Sequence, residues 1–385
     1  MNNITYLDNS ATVWPKPEPV IKAMNDFMIN IGANPGRGGY SLSINAARII
    51  FETREELAGL FGINDSKRII FTQNATHAIN TALKGILKKS DHVITSSVEH
   101  NSVMRPLRFL ENESGIEITV IRCNERGVID PSDIEKNIRK NTRLVVMTHA
   151  SNVTGTCMPV KEIGEICRRH GIIFLIDAAQ TAGSVPINLT DLKTDILAFT
   201  GHKNLMGPQG TGGLCIGEDI DITSLMQGGT GSHSEHELQP DFLPDKFESG
   251  TPNTVGISGL CAGVRFIQKK GIENIMAYEK GLVKLLLEKL EEIDEIEVYG
   301  TPGTDNRIPV LSFNVRNKKP SEITYALDNE YNIMARAGLH CAPSAHRTIG
   351  TFPEGTVRFS LSFYNTEKEI SYTVSSLKKI ISDHS

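Results

Sequence analysis

A lysine and an aspartate each follow an apolar run that predicts a buried β-strand. Lys203 lies in Thr200-Gly-His-Lys-Asn204, directly after residues 195–199, and Asp177 follows the apolar residues 172–176. An amine held in a dry pocket has a lowered pKa and can form a Schiff base. A carboxylate in such a place can pair with a protonated ring nitrogen. The alternatives are a solvated loop lysine and an aspartate that caps a helix.

Two more polar segments also follow predicted strands. Phe71-Thr-Gln-Asn-Ala-Thr76-His77 leads into a helical pattern, where free backbone N–H groups and the Thr76 hydroxyl suit a phosphate. His100 follows another strand and could lie over an aromatic cofactor and carry protons. An ordinary capped helix and a structural histidine are the alternatives. All four signals fall at the ends of strands, and together they indicate a pyridoxal phosphate pocket.

The elements that position these residues alternate between strand and helix from about residue 68. Helical patterns, with apolar residues three and four apart, separate the strands. Several strands are apolar throughout, as strands covered on both faces must be. This pattern predicts an α/β fold with a mostly parallel sheet of about seven strands and a ligand at their carboxyl ends. The predicted strands span residues 68–72, 92–96, 116–121, 144–148, 172–176, 196–199 and 213–216.

The chain of 385 residues suits two packed domains. Residues 228–252, rich in Gly, His, Glu and Pro, interrupt the alternation, and long helical patterns follow at 256–270 and 275–293. We predict an N-terminal arm at 1–15, a large α/β domain at 16–255 and a smaller C-terminal α+β domain at 256–385.

Composition argues against nucleic-acid and membrane partners. The formal net charge is −5 and the chain carries no long run of one sign, so no basic patch is predicted. The N-terminus lacks a signal-peptide pattern and no apolar run is long enough for a membrane helix, so we expect a cytoplasmic protein. The 6 cysteines show no paired spacing, which argues against a zinc ribbon or a disulfide framework.

The stretch Arg336-Ala-Gly-Leu-His-Cys-Ala-Pro-Ser-Ala-His346 leaves three roles open for Cys341: metal ligand, nucleophile or small buried residue. Cys341 and His346 are only two ligands and do not complete a tetrahedral zinc site. His233 and His236 offer a second metal hypothesis, with a solvated loop as the alternative. We expect no metal.

Ten segments, in order from residue 6 to residue 365, resemble the class V, fold-type I pyridoxal-phosphate enzymes, and within them the cysteine desulfurase and selenocysteine lyase family. They are Tyr6-Leu-Asp-Asn-Ser-Ala11, Arg37-Gly-Gly-Tyr-Ser-Leu-Ser43, Thr72-Gln-Asn-Ala-Thr76, Glu99-His100-Asn101, Ser151-Asn-Val-Thr-Gly-Thr156, Ile176-Asp-Ala-Ala-Gln180, Thr200-Gly-His-Lys203, Phe247-Glu-Ser-Gly-Thr-Pro-Asn253, Arg336-Ala-Gly-Leu-His-Cys341 and Val357-Arg-Phe-Ser-Leu-Ser-Phe-Tyr-Asn365. The resemblance covers nearly the whole chain and implies the cofactor pyridoxal 5'-phosphate.

The resemblance also implies roles for individual residues. Lys203 would bind the cofactor covalently and later move the Cα proton of the substrate, and His100 would stack on the ring. Asp177 would pair with the ring nitrogen and Gln180 with the ring hydroxyl. The phosphate would be held by Thr76, Thr200 and His202, by backbone groups of Ala75 and His77, and by Thr251 of a second subunit, so the resemblance implies a homodimer.

Arg358 would bind the carboxylate of L-cysteine or L-selenocysteine, with help from Asn152. Arg336 is a further candidate for substrate binding. Cys341 would attack the substrate sulfur to give alanine and a persulfide, and Arg336, His340 and His346 are candidates for stabilising its thiolate. The sequence resembles the short-loop branch, whose members commonly pass sulfur to an acceptor protein.

Leu339 stands where desulfurases of that branch often have a second histidine. The choice between a cysteine desulfurase and a selenocysteine lyase therefore stays open at this point. A related class V aminotransferase or lyase in which Cys341 is a bystander is a further alternative. A non-catalytic sulfur-relay scaffold is an alternative of a different class.

Overall fold

A computed structural model of the chain describes residues 4–36, 38–232 and 235–383. Its strands are β1 (Thr5–Tyr6), β2 (Ile69–Thr72), β3 (His92–Ser96), β4 (Glu117–Ile121), β5 (Thr142–Thr148), β6 (Ile173–Asp177), β7 (Ile196–Thr200), β8 (Gly212–Ile216), β9 (Ile296–Tyr299), β10 (Val310–Val315), β11 (Ile333–Met334), β12 (Arg336–Gly338) and β13 (Thr356–Ser360). Its α-helices are α1 (Glu18–Asn30), α2 (Ser41–Phe61), α3 (Ala75–Ile86), α4 (Asn101–Ser114), α5 (Pro131–Lys136), α6 (Val160–His170), α7 (Leu189–Leu192), α8 (Thr254–Lys270), α9 (Ile272–Glu291), α10 (Pro320–Tyr331), α11 (Pro343–Thr348) and α12 (Glu367–Asp383). Arg37, in one segment of the resemblance, and His233, in the second metal hypothesis, lie outside the described residues.

The central sheet has 7 strands in the order β2-β8-β7-β6-β5-β3-β4. Strand β8 runs antiparallel to both of its neighbours, and the other pairings are parallel. All of the strands predicted between residues 68 and 216 lie in this sheet, with boundaries that differ from the prediction by at most 2 residues. The predicted α/β fold with a mostly parallel sheet is therefore confirmed.

Both faces of the central sheet are buried, which explains its apolar strands. In β5, Val145 and Met147 belong to one hydrophobic core, whereas Leu144 and Val146 belong to another, because successive side chains of a strand point to opposite faces. Helices α2, α6 and α8 contribute to the first core, and α3 and α4 contribute to the second. Because helices cover both faces of the sheet, a ligand can reach it at the carboxyl ends of its strands.

A second, antiparallel sheet has the order β12-β13-β10-β9. Its core contains Phe313 and Phe359, whose ring centroids are 4.9 Å apart, and Leu286 of α9. Helix α8 lies almost wholly in the predicted C-terminal domain, which begins at residue 256. It nevertheless packs on α1 and α2 and places Leu260 in a core of the central sheet. The division into 16–255 and 256–385 stays a prediction.

The residues before α1 connect the two sheets. Strand β1 pairs in parallel with β11 in a separate two-stranded sheet, and Asp8 forms an isolated bridge with Ser360, the last residue of β13 in the second sheet. The side-chain amide of Asn9 donates to the Ser360 carbonyl at 3.0 Å. These contacts bring the following residue, Ser10, to the carboxyl edge of the central sheet.

The described residues of the segment 228–252 form turns and loops between β8 and α8, as its composition predicted. Across the described ranges, no helix has the length and apolar character that crossing a membrane requires.

Candidate active site

A cavity of about 310 Å³ lies at the carboxyl edge of the central sheet. Strand ends and the loops after them supply one part of its lining, which includes Ala75, Thr76, His100, Asn152, Asp177, Gln180, Thr200, His202 and Lys203. The second sheet and the loop after β12 add Arg336, His340, Cys341 and Arg358. Two of the predicted residues, His77 and Thr251, instead line a neighbouring cavity of about 200 Å³.

Lys203, which is half-buried, and Asp177, which is buried, are residues of opposite charge that line the same cavity. Burial lowers the pKa of Lys203 from 10.5 to about 8, and the attraction of Asp177 opposes that change. Burial likewise raises the pKa of Asp177, against a hydrogen bond from the Ala179 N–H at 2.9 Å and the charge of Lys203. An amine in this state loses its proton close to neutral pH, as a Schiff-base lysine must.

His100 is an uncharged ring at the start of α4. Its Nδ1 accepts a hydrogen bond from the backbone N–H of Ser102 at 3.0 Å, so it caps the helix and carries the proton of its neutral form on Nε2. Burial, with smaller contributions from the charges of Lys203 and Arg336, lowers the pKa of His100 to about 4. The Ser102 hydroxyl lies between this ring and Asp177, 2.8 Å from Nδ1 and 3.4 Å from the Asp177 Oδ2.

The N-terminus of α3 faces the cavity with Ala75 and Thr76. Asn74 caps this helix, because its Oδ1 accepts a hydrogen bond from the His77 N–H at 2.9 Å. The first N–H groups of a helix have no partner within the helix and favour an anion. The resemblance assigned the His77 N–H to the phosphate, but this group already donates its hydrogen bond to the Asn74 side chain.

Gln180 and His202 each present an unsatisfied buried atom. Gln180 donates through Nε2 to the Ser10 carbonyl at 3.2 Å, whereas its Oε1 and the His202 Nδ1 make no hydrogen bond within the described residues. Burial lowers the pKa of His202 to about 4, so its ring is neutral. Buried polar atoms are nearly always paired, and these two line a cavity in which a ligand could pair them.

The loop that carries Thr251 is anchored to the edge of the central sheet. Glu248 accepts a hydrogen bond from the Phe71 N–H of β2 at 2.6 Å and forms an ion pair with Arg54. The Arg54 guanidinium also lies 4.5 Å from the centre of the Phe71 ring. This anchor holds Thr251 in the cavity next to the one that contains Lys203.

Arg358 is buried at the carboxyl edge, with 1% of its surface exposed. Its Nη1 donates to the Asn152 carbonyl at 3.1 Å, and its Nη2 pairs with the Asp8 carboxylate. The Asn152 side chain donates elsewhere, to the His340 carbonyl at 2.7 Å. The structure therefore brings Asn152 and Arg358 together, but through the backbone of Asn152.

Cys341 lies in a tight turn between β12 and α11. His340 and Cys341 both have left-handed backbone conformations, with φ of 47° and 59°, which are uncommon for residues other than glycine. Asn152 holds the carbonyl of His340, and the Asn101 N–H donates to the carbonyl of Cys341 at 2.8 Å. The Cys341 side chain is exposed, and its Sγ is 4.0 Å from the Nη2 of Arg336.

The histidines on either side of Cys341 are buried and neutral. Burial lowers the pKa of His340 to about 2 and that of His346 to about 4. His346 contacts the Thr351 hydroxyl at 2.7 Å through Nδ1. Within the described residues, no third His, Cys, Asp or Glu side chain joins Cys341 and His346 in a group that could hold a metal ion.

Sequence reasoning missed two residues that organise this region, Asp8 and Ser102. Asp8 lies in the segment Tyr6–Ala11 that carried the resemblance, so the signal was present, but no role was assigned to it. Ser102 was visible only as the residue that follows His100 and Asn101. The role of each depends on a partner that is distant in the chain, Arg358 for Asp8 and Asp177 for Ser102.

A mostly parallel sheet with a lysine and an aspartate in a cavity at its carboxyl edge is typical of α/β enzymes that bind a cofactor there. The chain belongs to the Aminotransferase class-V family, whose sequence profile matches residues 5–373. Proteins of this family generally depend on pyridoxal phosphate.

Relatives and solved structures agree with this family. A probable cysteine desulfurase of Methanothermobacter thermautotrophicus is 38% identical over 381 residues, which cover 97% of this chain and 94% of that protein. A probable cysteine desulfurase of Pyrococcus abyssi is 36% identical, with 98% of this chain and 94% of that protein covered. The apo structure of a cysteine desulfurase from Thermococcus onnurineus is 35% identical, covers 99% of this chain and 96% of its own, and superposes with a TM-score of 0.93.

Proposed function

We propose that this chain is a pyridoxal-phosphate-dependent cysteine desulfurase, which converts L-cysteine to L-alanine and takes the sulfur as a persulfide on Cys341. The observation that carries the proposal is that the Lys203 amine, the Arg358 guanidinium and the Cys341 thiol line one cavity. They supply the three groups that the reaction needs: a base, a carboxylate-binding group and a sulfur nucleophile. The names of the relatives support the same reaction.

The lining of the cavity fits pyridoxal 5'-phosphate. The unsatisfied Gln180 Oε1 and His202 Nδ1 offer partners to a polar ligand, and the α3 terminus with Thr76 favours its phosphate. Asp177 would pair with the ring nitrogen, Gln180 with the ring hydroxyl, and Thr76, Thr200 and His202 with the phosphate. When bound, the cofactor would supply an electron sink for the negative charge left at the substrate Cα.

Lys203 has the properties of the group that moves the Cα proton. Because burial places its pKa at about 8, its amine can accept a proton and return it near neutral pH. His100 is held neutral and fixed in one tautomer, which suits a ring that stacks on the cofactor. Arg358, buried in the same cavity, would hold the substrate carboxylate.

Cys341 carries the sulfur transfer. Its thiolate attacks the substrate sulfur, the carbon–sulfur bond breaks, and the electron pair of that bond stays with the carbon. The carbon takes a proton and leaves as alanine, so that one cysteine and one enzyme thiol give one alanine and one persulfide. The Arg336 guanidinium, 4.0 Å from the Sγ, brings a positive charge to the sulfur that must attack.

The proposal includes a homodimer, a cytoplasmic location and a sulfur-acceptor protein. In the homodimer, Thr251 of one protomer would reach the phosphate held by the other protomer. Within its own chain, Thr251 lines the cavity beside the one that contains Lys203, and its reach into the partner's site is part of the proposal. The exposure of Cys341 supports transfer of its sulfur to another protein.

The test is to incubate the protein, reconstituted with pyridoxal phosphate, with L-cysteine and a thiol reductant, and to measure alanine and sulfide. We expect equal amounts of both, and a Cys341 peptide heavier by one sulfur atom when the reductant is omitted. Lys203→Ala should lose the yellow cofactor band and the activity, whereas Cys341→Ala should keep the band and lose the activity. Transfer of the amino group to a keto acid, or full cysteine desulfuration by Cys341→Ala, contradicts the proposal.

A further inference from the structure

Arg358 has a resident carboxylate partner inside the protein. Its Nη2 pairs with Asp8, its Nη1 donates to the Asn152 carbonyl, and its Nε makes no hydrogen bond among the described residues. A guanidinium has five N–H donors, so donors remain for a carboxylate that enters the cavity. Such a carboxylate would share the guanidinium with Asp8.

The backbone of Asp8 is held on both sides. Asp8 forms a bridge with Ser360, and the Tyr6 hydroxyl donates to the Asp8 carbonyl at 3.2 Å. The next residue, Asn9, is tied to Ser360 and to the Asn365 Oδ1 at 3.2 Å. These contacts do not involve the carboxylate, so they can hold Asp8 beside Arg358 whether or not a ligand is bound.

The charges around Arg358 show what Asp8 does. Arg336 and Arg358 are register partners in the antiparallel pair β12 and β13, and like charges at opposite positions repel. Burial lowers the pKa of Arg358, Asp8 raises it, and Arg336 lowers it further. The Asp8 carboxylate thus offsets the cost of keeping a buried guanidinium charged beside a second arginine.

We propose that Asp8 is a positioning residue that orients Arg358 and limits how tightly Arg358 holds an amino-acid carboxylate. The negative charge of Asp8 repels a second carboxylate on the same guanidinium. Substrate L-cysteine and product L-alanine carry the same carboxylate group, so weaker binding of that group lets alanine leave. The inference rests on the proposed function, because it takes Arg358 as the group that binds the substrate carboxylate.

Asp8→Asn separates the charge from the geometry, because it keeps an oxygen acceptor for the Arg358 Nη2. With the holoenzyme, we expect the dissociation constant of L-alanine, measured by calorimetry, to fall about tenfold or more, since the repulsion between the two carboxylates is lost. The KM for L-cysteine should fall as well. The control is Asp26→Asn, which removes one negative charge from an exposed position on α1, away from the cavity, and should change neither constant.

A purely structural role for Asp8 makes a different prediction: a lower thermal midpoint with unchanged L-alanine affinity. Unchanged or weaker L-alanine binding by a folded Asp8→Asn holoenzyme therefore overturns the inference. If that variant does not fold, Asp8→Ser takes its place, because it also removes the charge and keeps an oxygen. The same decrease in the dissociation constant of L-alanine is then expected, and its absence overturns the inference. A wild-type protein that binds neither amino acid contradicts the proposed function and the inference together, whereas wild-type binding without an Asp8 effect contradicts the inference alone.

Discussion

The Nη2 atom of Arg336 lies 4.0 Å from the Sγ atom of Cys341. Two other candidates for the stabilisation of a thiolate, His340 and His346, are neutral near pH 7, because burial holds their pKa values at about 2 and about 4. Of the three candidates named from the sequence, Arg336 is therefore the one that brings a positive charge to the sulfur.

Removing that charge should slow the chemistry of Cys341. At 4 Å in a water-like environment, two unit charges interact by about 1 kcal/mol, so we expect Arg336→Gln to lower the rate of alkylation of Cys341 by iodoacetamide about fivefold at pH 7. Arg336→Lys should restore part of the rate. Arg347→Gln serves as the control, because the Arg347 guanidinium lies over the Phe352 ring at 4.2 Å and does not line the cavity. Equal rates in the wild type and Arg336→Gln would contradict the role of Arg336.

The lowered pKa of Lys203 predicts a pH dependence for the binding of the cofactor. Below pH 8 the side chain is a protonated ammonium, and above pH 8 it is a free amine that can attack the aldehyde of pyridoxal phosphate. The rate at which the apoprotein attaches the cofactor covalently, followed by the absorbance band, should rise as the pH passes through about 8 and level off above it. Lys203→Ala should show no such rise. A rate that still climbs towards pH 10.5, the ordinary lysine value, would show that the amine is not desolvated.

The central sheet and most of the site were predictable for the same physical reason. A parallel strand covered on both faces must be apolar along its whole length, so its boundaries are visible in the sequence. The polar residues that follow such strands then meet at one edge. Lys203, Asp177 and His100 were found in this way, and they line one cavity.

The sequence could not show three features of the site: the direction in which a side chain points, the burial of a residue, and a contact between residues that are distant in the chain. One step along a helix turns a side chain by about 100°, so Thr76 faces the first cavity whereas His77 faces the second. Burial, which leaves His340 uncharged, has no local signal in the sequence. The pair of Asp8 and Arg358 joins residues 350 positions apart, and nothing near either residue predicts the other.

Glu248 should be more important for stability than an exposed acidic residue. Its partner Arg54 has only 7% of its side chain exposed, so Glu248→Gln leaves a largely buried guanidinium without a counter-charge. We expect the free energy of unfolding, measured with urea, to fall by about 3 kcal/mol. Glu111→Gln breaks an exposed pair with Arg108 and should cost about 1 kcal/mol or less. Similar losses in the two variants would mean that the Arg54–Glu248 pair does not anchor the loop.

Asn152 offers the clearest contrast between the role expected from the sequence and the role its contacts support. The resemblance assigned its side chain to the substrate carboxylate, but that side chain donates to the His340 carbonyl at 2.7 Å, while the contact with Arg358 comes from the Asn152 backbone. Asn152→Ala keeps the backbone contact and frees the turn that presents Cys341.

We therefore expect the Asn152→Ala holoenzyme to bind L-alanine within about twofold of the wild type, because its carboxylate-binding arginine keeps the same partner. Persulfide formation on Cys341, followed by rapid quenching and mass spectrometry, should slow about fivefold, because loss of one positioning hydrogen bond of about 1 kcal/mol lets the strained turn leave its reactive geometry. The role assigned from the sequence requires the opposite result, with L-alanine binding at least tenfold weaker. The relative size of the two effects thus decides whether Asn152 acts on the substrate or on the nucleophile.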